Sequence, residues 1–411
     1  MPTRAAGLAR LEAFLPRAGR DYAETRNHVA PPAHANVSRL SPWVRARLVT
    51  EAEVAGAARA RHGFREAEKF IQEVYWRTYW KGWLEQRPEA WTRYLEAVPR
   101  LRDGLRGERR SAHEAARAGR TGIAGFDDWA RELVATGWMH NHARMWFASI
   151  WIFTLRLPWE LGAAFFMEHL LDGDPASNTL SWRWVAGLQT AGKTYLARAD
   201  NIARYTGGEH APSERQLAAE AFVITEEPLR RVALAERPVA SPAGLAALAR
   251  GGRLGWWLHA EDLAVDTGDL AAGGGVGAGV VAAGFAGWPA GLAARAGWAA
   301  PVAAWQRAAL GDGAARAEGF FGCGFERGES ADLAAALADW ARREKLARVA
   351  AYEPPVGPWR DEARVVETAL AAAGVGMVWI RRGWDAALWP RAARGYFPFW
   401  AEVKASEGAP G

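Results

Sequence analysis

Through roughly the first 240 residues, apolar positions recur at three- and four-residue spacing, in segments near 44–60, 64–84, 87–99, 125–137, 142–155 and 158–171. That spacing predicts a mainly helical first part. A proline-bearing boundary, ERPVASPAG at 236–244, closes it. Beyond it, short apolar runs at 253–259, 279–285, 347–353 and 376–382 alternate with helical patterns at 331–345 and 359–374. Strands alternating with helices predict a parallel sheet. The expected architecture is α + α/β, a helical domain over 1–240 followed by a smaller α/β domain over 250–411. The uncharged run Leu270–Ala294 is long enough to raise a membrane span, but it is mostly Gly and Ala with Pro289 and reads as a buried strand, a loop and a helix.

The stretch Thr136–Trp184 sets polar residues into this apolar pattern. Asn141, Arg144 and Met145 share one helical face, and Ala148 and Ile152 extend the stripe. Asp172 and Asp174 flank Gly173, and Asn178, Trp182 and Trp184 follow. Polar groups aimed into a tryptophan-lined interior need partners, and a bound polar cofactor supplies them.

The ordered run TGWMHN..ARM, then WELGAAFFMEHLLDGDPASN and WRW, resembles the flavin-binding core of the DNA photolyase/cryptochrome superfamily. The resemblance implies FAD as cofactor, damaged DNA as partner, and light-driven splitting of cyclobutane pyrimidine dimers by electron transfer. Its alternative is a cryptochrome-type photoreceptor without repair. On this resemblance Tyr22, Ser38, Arg39, Leu40 and Ser41 form the first flavin-contacting stretch, with Val37 where a Thr is usual. Hydroxyls and N–H groups at a helix entrance suit a diphosphate. Glu73 and Trp76 face the substrate, Trp76 by stacking on a flipped-out dimer and Glu73 by hydrogen bonding, with Arg77 braced at the flavin site. Asn141, Arg144, Asp172, Asp174 and Asn178 match cofactor positions, Arg144 and Asp172 as a buried charge pair. Asn141 and Met145, rather than histidines, favour cyclobutane dimers, while His142 departs from a usual fixed basic residue. Trp182 and Trp159 match the inner members of a tryptophan electron chain, and Trp129, Trp146 or Trp151 are candidates for its outer member. LGWWLHAEDLAVD at 254–266 and GYFPFW at 395–400 resemble the antenna-type α/β domain of the same superfamily, which ordinarily precedes the flavin domain, so the order here implies a circular permutation.

Composition narrows the picture further. One cysteine, Cys323, excludes a disulfide framework and a cluster held by several thiolates. A formal charge of +5 in 411 residues suits a phosphate-bearing partner, although an Arg-, Ala- and Gly-rich composition explains it equally. The N-terminus lacks a continuous apolar core, so a soluble cytoplasmic protein is expected. His140 and His142, two apart on a helix, diverge and are not expected to hold a metal. GLQTAGKT at 187–194 fits the phosphate-cradling loop of P-loop nucleotide hydrolases, with Gly187, Gly192 and Lys193 at its defining positions. That reading requires a buried strand immediately before the loop.

Overall fold

The computed structural model describes residues 1–29, 34–190 and 192–406. Helices α1 (Arg4–Phe14), α2 (Arg20–Thr25), α3 (Ser41–Arg45), α4 (Glu51–Glu85), α5 (Glu89–Gly104) and α6 (Gly107–Arg117) open the chain. They are followed by α7 (Phe126–Thr136), α8 (Asn141–Ser149), α9 (Trp159–His169), α10 (Pro175–Val185), α11 (Ala199–Tyr205) and α12 (Pro242–Ala249). The helical pattern therefore ends at Tyr205, short of the expected 240. Residues 206–241 run with little regular structure, since charged and proline residues leave no apolar stripe to bury.

α4 is the spine of this half. Thr50 caps it, its own N–H donating to the Glu53 carboxylate in return, and the helix is interrupted at Gly63 (φ +74°). Its second portion is apolar and aromatic on several faces, and Tyr75, Tyr79, Trp80 and Trp83 are buried there.

The second half holds β1 (Leu254–Trp257), β2 (Ala283–Pro289), β3 (Phe325–Ser330), β4 (Arg348–Tyr352) and β5 (Gly376–Ile380). All neighbouring strands are parallel, in the order β3-β2-β1-β4-β5. β1 lies centrally, with Gly255 in register with both Ala283 and Val349. The connecting helices are α13 (Leu292–Ala296), α14 (Ala300–Phe321), α15 (Leu333–Arg343) and α16 (Pro358–Ala372). The pattern did not reveal β3. It is an edge strand whose Glu326, Arg327 and Glu329 are exposed, so it shows no apolar run. In the 270–294 run the order is loop, strand, helix, because the strand begins only at Ala283. Among the described residues, no helix is long and apolar enough to cross a membrane.

Helices α17 (Gly383–Leu388) and α18 (Tyr396–Ser406) leave the sheet and lie along α4. Trp384 Nε1 donates to Thr78 Oγ1 at 2.9 Å, Tyr396 Oη to the Gln72 carbonyl at 2.8 Å, and Trp400 Nε1 to Glu68 at 3.2 Å. The GYFPFW segment thus braces the helical half.

A buried charge network joins the halves. Arg47 takes Asp385 through two hydrogen bonds (2.8 and 2.7 Å), Asp262 at 3.0 Å and Glu51 at 3.1 Å. Arg382 holds the same Asp262 through two more, at 2.6 Å each. Arg45 bonds Glu261 at 2.7 Å and also donates to the carbonyls of Ala260 and Gly173 (3.3 and 3.2 Å). Removing one member strands charges in a low dielectric. Arg47→Ala leaves Asp262, Asp385 and Glu51 without that guanidinium, and is expected to cost about 3–5 kcal/mol in a denaturant titration; a loss under about 1 kcal/mol, the range of exposed pairs, would show that the network carries little.

Candidate active site

α2, α3, α4, α8, α9 and α10 enclose a cavity of about 600 Å³. That lies within the usual range of small-molecule and cofactor sites, about 300–1,000 Å³. Its wall includes Tyr22, Ser38, Arg39, Leu40 and Ser41 on one side, and Glu73, Trp76 and Arg77 from α4. Asn141, Arg144 and Met145 of α8 and Asp172, Asp174, Asn178 and Trp182 at α10 complete it. Residues spread over more than 150 positions of sequence are brought together by the packing of α4 on α10 and of α9 on α10.

The corner Asp172-Gly173-Asp174 is the electrostatic centre. Arg144 donates to Asp172 at 3.0 Å and also to the Met139 carbonyl at 2.9 Å, which fixes the guanidinium. Burial pushes the Asp172 carboxyl up, but Arg144, the Ser41 hydroxyl and Arg77 outweigh it and hold it below the ordinary carboxylate range. Asp174 caps α10 by accepting from Ser177 N at 2.8 Å. Burial opposes its charge too, but Lys81 at 3.3 Å and Arg77 at 3.6 Å keep it ionised, well below the ordinary value.

Several polar atoms of this wall have no hydrogen-bond partner within the protein, among them Asp172 Oδ1, Ser177 Oγ and Trp182 Nε1, while Asp174 Oδ2 and Arg77 Nη1 meet only as members of the ion pairs. Buried polar atoms are rarely left so. A polar, multiply hydrogen-bonding ligand such as FAD fits that donor and acceptor set.

The remaining residues are individually placed. Asn178 donates from Nδ2 to the Ala163 carbonyl at 2.8 Å, so its carboxamide is oriented by α9. Trp182 is buried, and its ring fits because residue 162 is glycine: a Cβ there would come within 2.3 Å of the indole. Arg39 adopts φ +52° and lies over Trp138 with Cζ 4.4 Å from the ring centre. A non-glycine residue in the left-handed region stores strain, a feature that concentrates at binding sites. Trp76 is stacked on Tyr396 of α18, ring centroids 3.5 Å apart and planes 8° from parallel. Glu73 is ion-paired with Arg26, itself part of the wall. His142 also lines the cavity. Its ring stacks on Trp146 at 4.1 Å, and burial lowers its pKa, so it carries no fixed charge.

Some expectations are corrected. Asn141 is exposed at the first turn of α8 rather than buried. Ile152 does not continue the stripe, because residues Ile150–Thr154 form a wider π-helical turn that rotates the following side chains off the face. Ser41 opens a helix of five residues, too short for a strong dipole, and its hydroxyl serves Asp172. Trp159 lies outside the cavity, against Tyr94 and beside the Arg183 guanidinium; the tryptophan in ring contact with Trp182 is Trp151. In GLQTAGKT, of which Ala191 lies outside the described residues, the loop is preceded by helix α10 ending at Val185 and not by a strand. The P-loop reading fails on that point. His140 and His142 face different surroundings, and among the described residues no group of three or more His, Cys, Asp or Glu side chains is placed to hold a metal ion.

Sequence reasoning missed Arg26 and Lys81. Both carried a signal: each lies four residues after a predicted site residue, Tyr22 and Arg77, and so on the same helical face.

Residues 70–207 match the family described as the FAD binding domain of DNA photolyase. Over that stretch the chain is similar to the flavin-binding region of the DNA photolyase/cryptochrome superfamily. Its cofactor is FAD. A deoxyribodipyrimidine photo-lyase of Streptomyces griseus is 36% identical over 195 residues, 44% of this chain and 41% of that protein. One of Thermus thermophilus is 33% identical over 222 residues, 53% and 50% of the two chains. A crystal structure of a bacterial class III photolyase from Agrobacterium tumefaciens aligns with TM-score 0.43 and 29% identity, covering 50% of this chain and 43% of that one. The chain thus matches half or less of the length of these relatives.

The two corner carboxylates carry a pH signature. Both are held below their unfolded value, so the stability they contribute is complete above about pH 4 and is lost as pH falls through the depressed range. Asp172→Asn is expected to lower FAD affinity at least about tenfold, by leaving Arg144 unpaired, and to flatten the acid limb of a melting-temperature profile; an unchanged limb and affinity would contradict the assignment.

Proposed function

We propose that this protein is a light-driven repair enzyme for cyclobutane pyrimidine dimers in DNA. The observation that supports it best is the single cavity in which the Arg144–Asp172 pair, Asn178 and Trp182 share a wall with Glu73, Trp76 and Met145. When bound, FAD supplies the light absorption and the transferable electron. The side chains do the rest. Asp172 and Ser177 orient the cofactor through the polar atoms they leave free, Arg144, Arg77 and Asp174 hold that corner in place, and Asn178, fixed by the Ala163 carbonyl, presents its carboxamide to the flavin ring.

Trp76 offers an indole backed by Tyr396, a rigid platform for a base rotated out of the duplex. Arg26 holds the Glu73 carboxylate at the wall, where it accepts hydrogen bonds from the lesion. Met145 supplies apolar surface, and the neutral His142 leaves phosphate contacts to arginines. The curated relatives named above are photo-lyases, which favours repair over a photoreceptor role. The α/β half, with its central β1, represents the antenna-type domain in permuted order; the 254–266 likeness and the parallel sheet support that reading.

The FAD-loaded protein, reduced and illuminated with blue light, is expected to restore dimer-containing oligonucleotides. It should bind them at least about 10³-fold more tightly than intact DNA, with affinity falling steeply as salt rises. Absence of turnover and of binding preference in a protein with a full flavin complement would overturn the repair reading in favour of a photoreceptor.

A further inference from the structure

The described residues that line the flavin cavity all lie between Tyr22 and Val185, in the helical half. The sheet nonetheless ends against that half. In the order β3-β2-β1-β4-β5 the connections reverse direction between β1 and β4, and the crevice outside the carboxyl ends of two such strands is where open α/β sheets hold their ligands. Here helical-half residues occupy it. After β1, Arg45 of α3 takes the Ala260 carbonyl and Glu261, and Leu263 N donates to the Ala46 carbonyl at 3.1 Å. After β4, Val356 N donates to Glu85 of α4 at 2.7 Å, and the Arg360 guanidinium takes both oxygens of the same carboxylate at 3.2 and 3.1 Å. Arg360 also donates to the Pro354 carbonyl, which ties the loop to the start of α16. Glu85 lies one helical turn beyond Lys81, the partner of Asp174.

In this loop Gly357 adopts φ +153° and ψ −174°, a conformation essentially reserved for glycine. It lies against Pro175, the first residue of α10: a Cβ at 357 would come 2.7 Å from the Pro175 Cγ and 3.3 Å from its Cβ. Pro175 follows Asp174 directly, and Arg45 holds the Gly173 carbonyl at 3.2 Å. The carboxyl ends of β1 and β4 therefore hold the flavin corner at Gly173 and at Pro175.

We propose that the α/β half positions the flavin corner through this crevice, and that Gly357 is a positioning residue for FAD. The proposal rests on the placement of FAD against Asp172 and Ser177. Asp174 and Pro175 begin α10, so a shift of Pro175 turns the helix that carries Ser177, Asn178 and Trp182, and draws Asp174 away from Lys81 and Arg77. A residue with no side chain at 357 leaves Pro175 where those contacts need it. Gly357 is not among the residues lining the cavity, so its effect on FAD passes through packing alone, which in a dense interior transmits displacement.

The test is titration of the flavin-free protein with FAD, read by flavin fluorescence, beside thermal unfolding of the same variants. Gly357→Ala is expected to weaken FAD binding about tenfold, within the range that residues touching no ligand exert on a distant site. Adding Pro175→Ala removes the Cγ that the new methyl meets, and should recover most of the lost affinity. Gly374→Ala isolates backbone strain: its φ is +74°, nothing stands within 4 Å of its Cβ position, and it lies between α16 and β5. It should lower the melting temperature and leave FAD affinity within about twofold of the parent. Parental affinity in Gly357→Ala, an equal loss in Gly374→Ala, or a double variant no better than Gly357→Ala alone overturns the proposal. Arg360→Gln releases Glu85 without placing an atom at Pro175, and reads the same grip if Gly357→Ala does not fold. It should weaken FAD about threefold, and parental affinity there also overturns the proposal. A parent that binds no FAD refutes the cofactor placement and the proposal with it, whereas a parent that binds FAD beside an unaffected Gly357→Ala refutes the proposal alone.

Discussion

Two carboxylates at one sharp corner, Asp172 and Asp174, set the terms for the rest of the molecule. Each is buried, and a buried charge is tolerated only if it is paired. The pairing comes from three directions: Arg144 on α8, and Arg77 and Lys81 four residues apart on α4. To satisfy it, α4, α8 and α10 must converge at the corner. The cavity is the space left at that convergence. Arg45 extends the constraint outward, since it holds the Gly173 carbonyl with one edge and Glu261, just past β1, with another. The site and the sheet are thus tied through a single side chain.

Much of this was legible in the sequence, for an identifiable reason. Asn141, Arg144 and Met145 fall on one face of a short helix, and Asp172, Asp174 and Asn178 lie within seven positions, so local periodicity alone groups them. The strands β1 and β4 were legible as well, since a strand covered on both faces must be continuously apolar, and β5 is an edge strand that keeps a short apolar run. What escaped depends on contacts between distant parts of the chain. Tyr396 beneath Trp76 joins positions separated by 320 residues, and nothing in GYFPFW announces that it will leave the sheet for α4. Edge strand β3 is hidden by its charges. The exchange of Trp159 for Trp151 as neighbour of Trp182 depends on the π-turn at 150–154 and on Gly162, features that periodicity does not reveal.

The most direct measurement is titration of the flavin-free protein with FAD, followed by flavin fluorescence. An indole in van der Waals reach of an excited flavin quenches it by electron donation, and Trp182 and Trp184 both line the cavity. Saturable binding of one FAD per chain with nearly complete quenching, partly relieved in Trp182→Phe, is the predicted result. Absence of saturable binding, or bound flavin that stays bright, would contradict the placement of the cofactor against these residues.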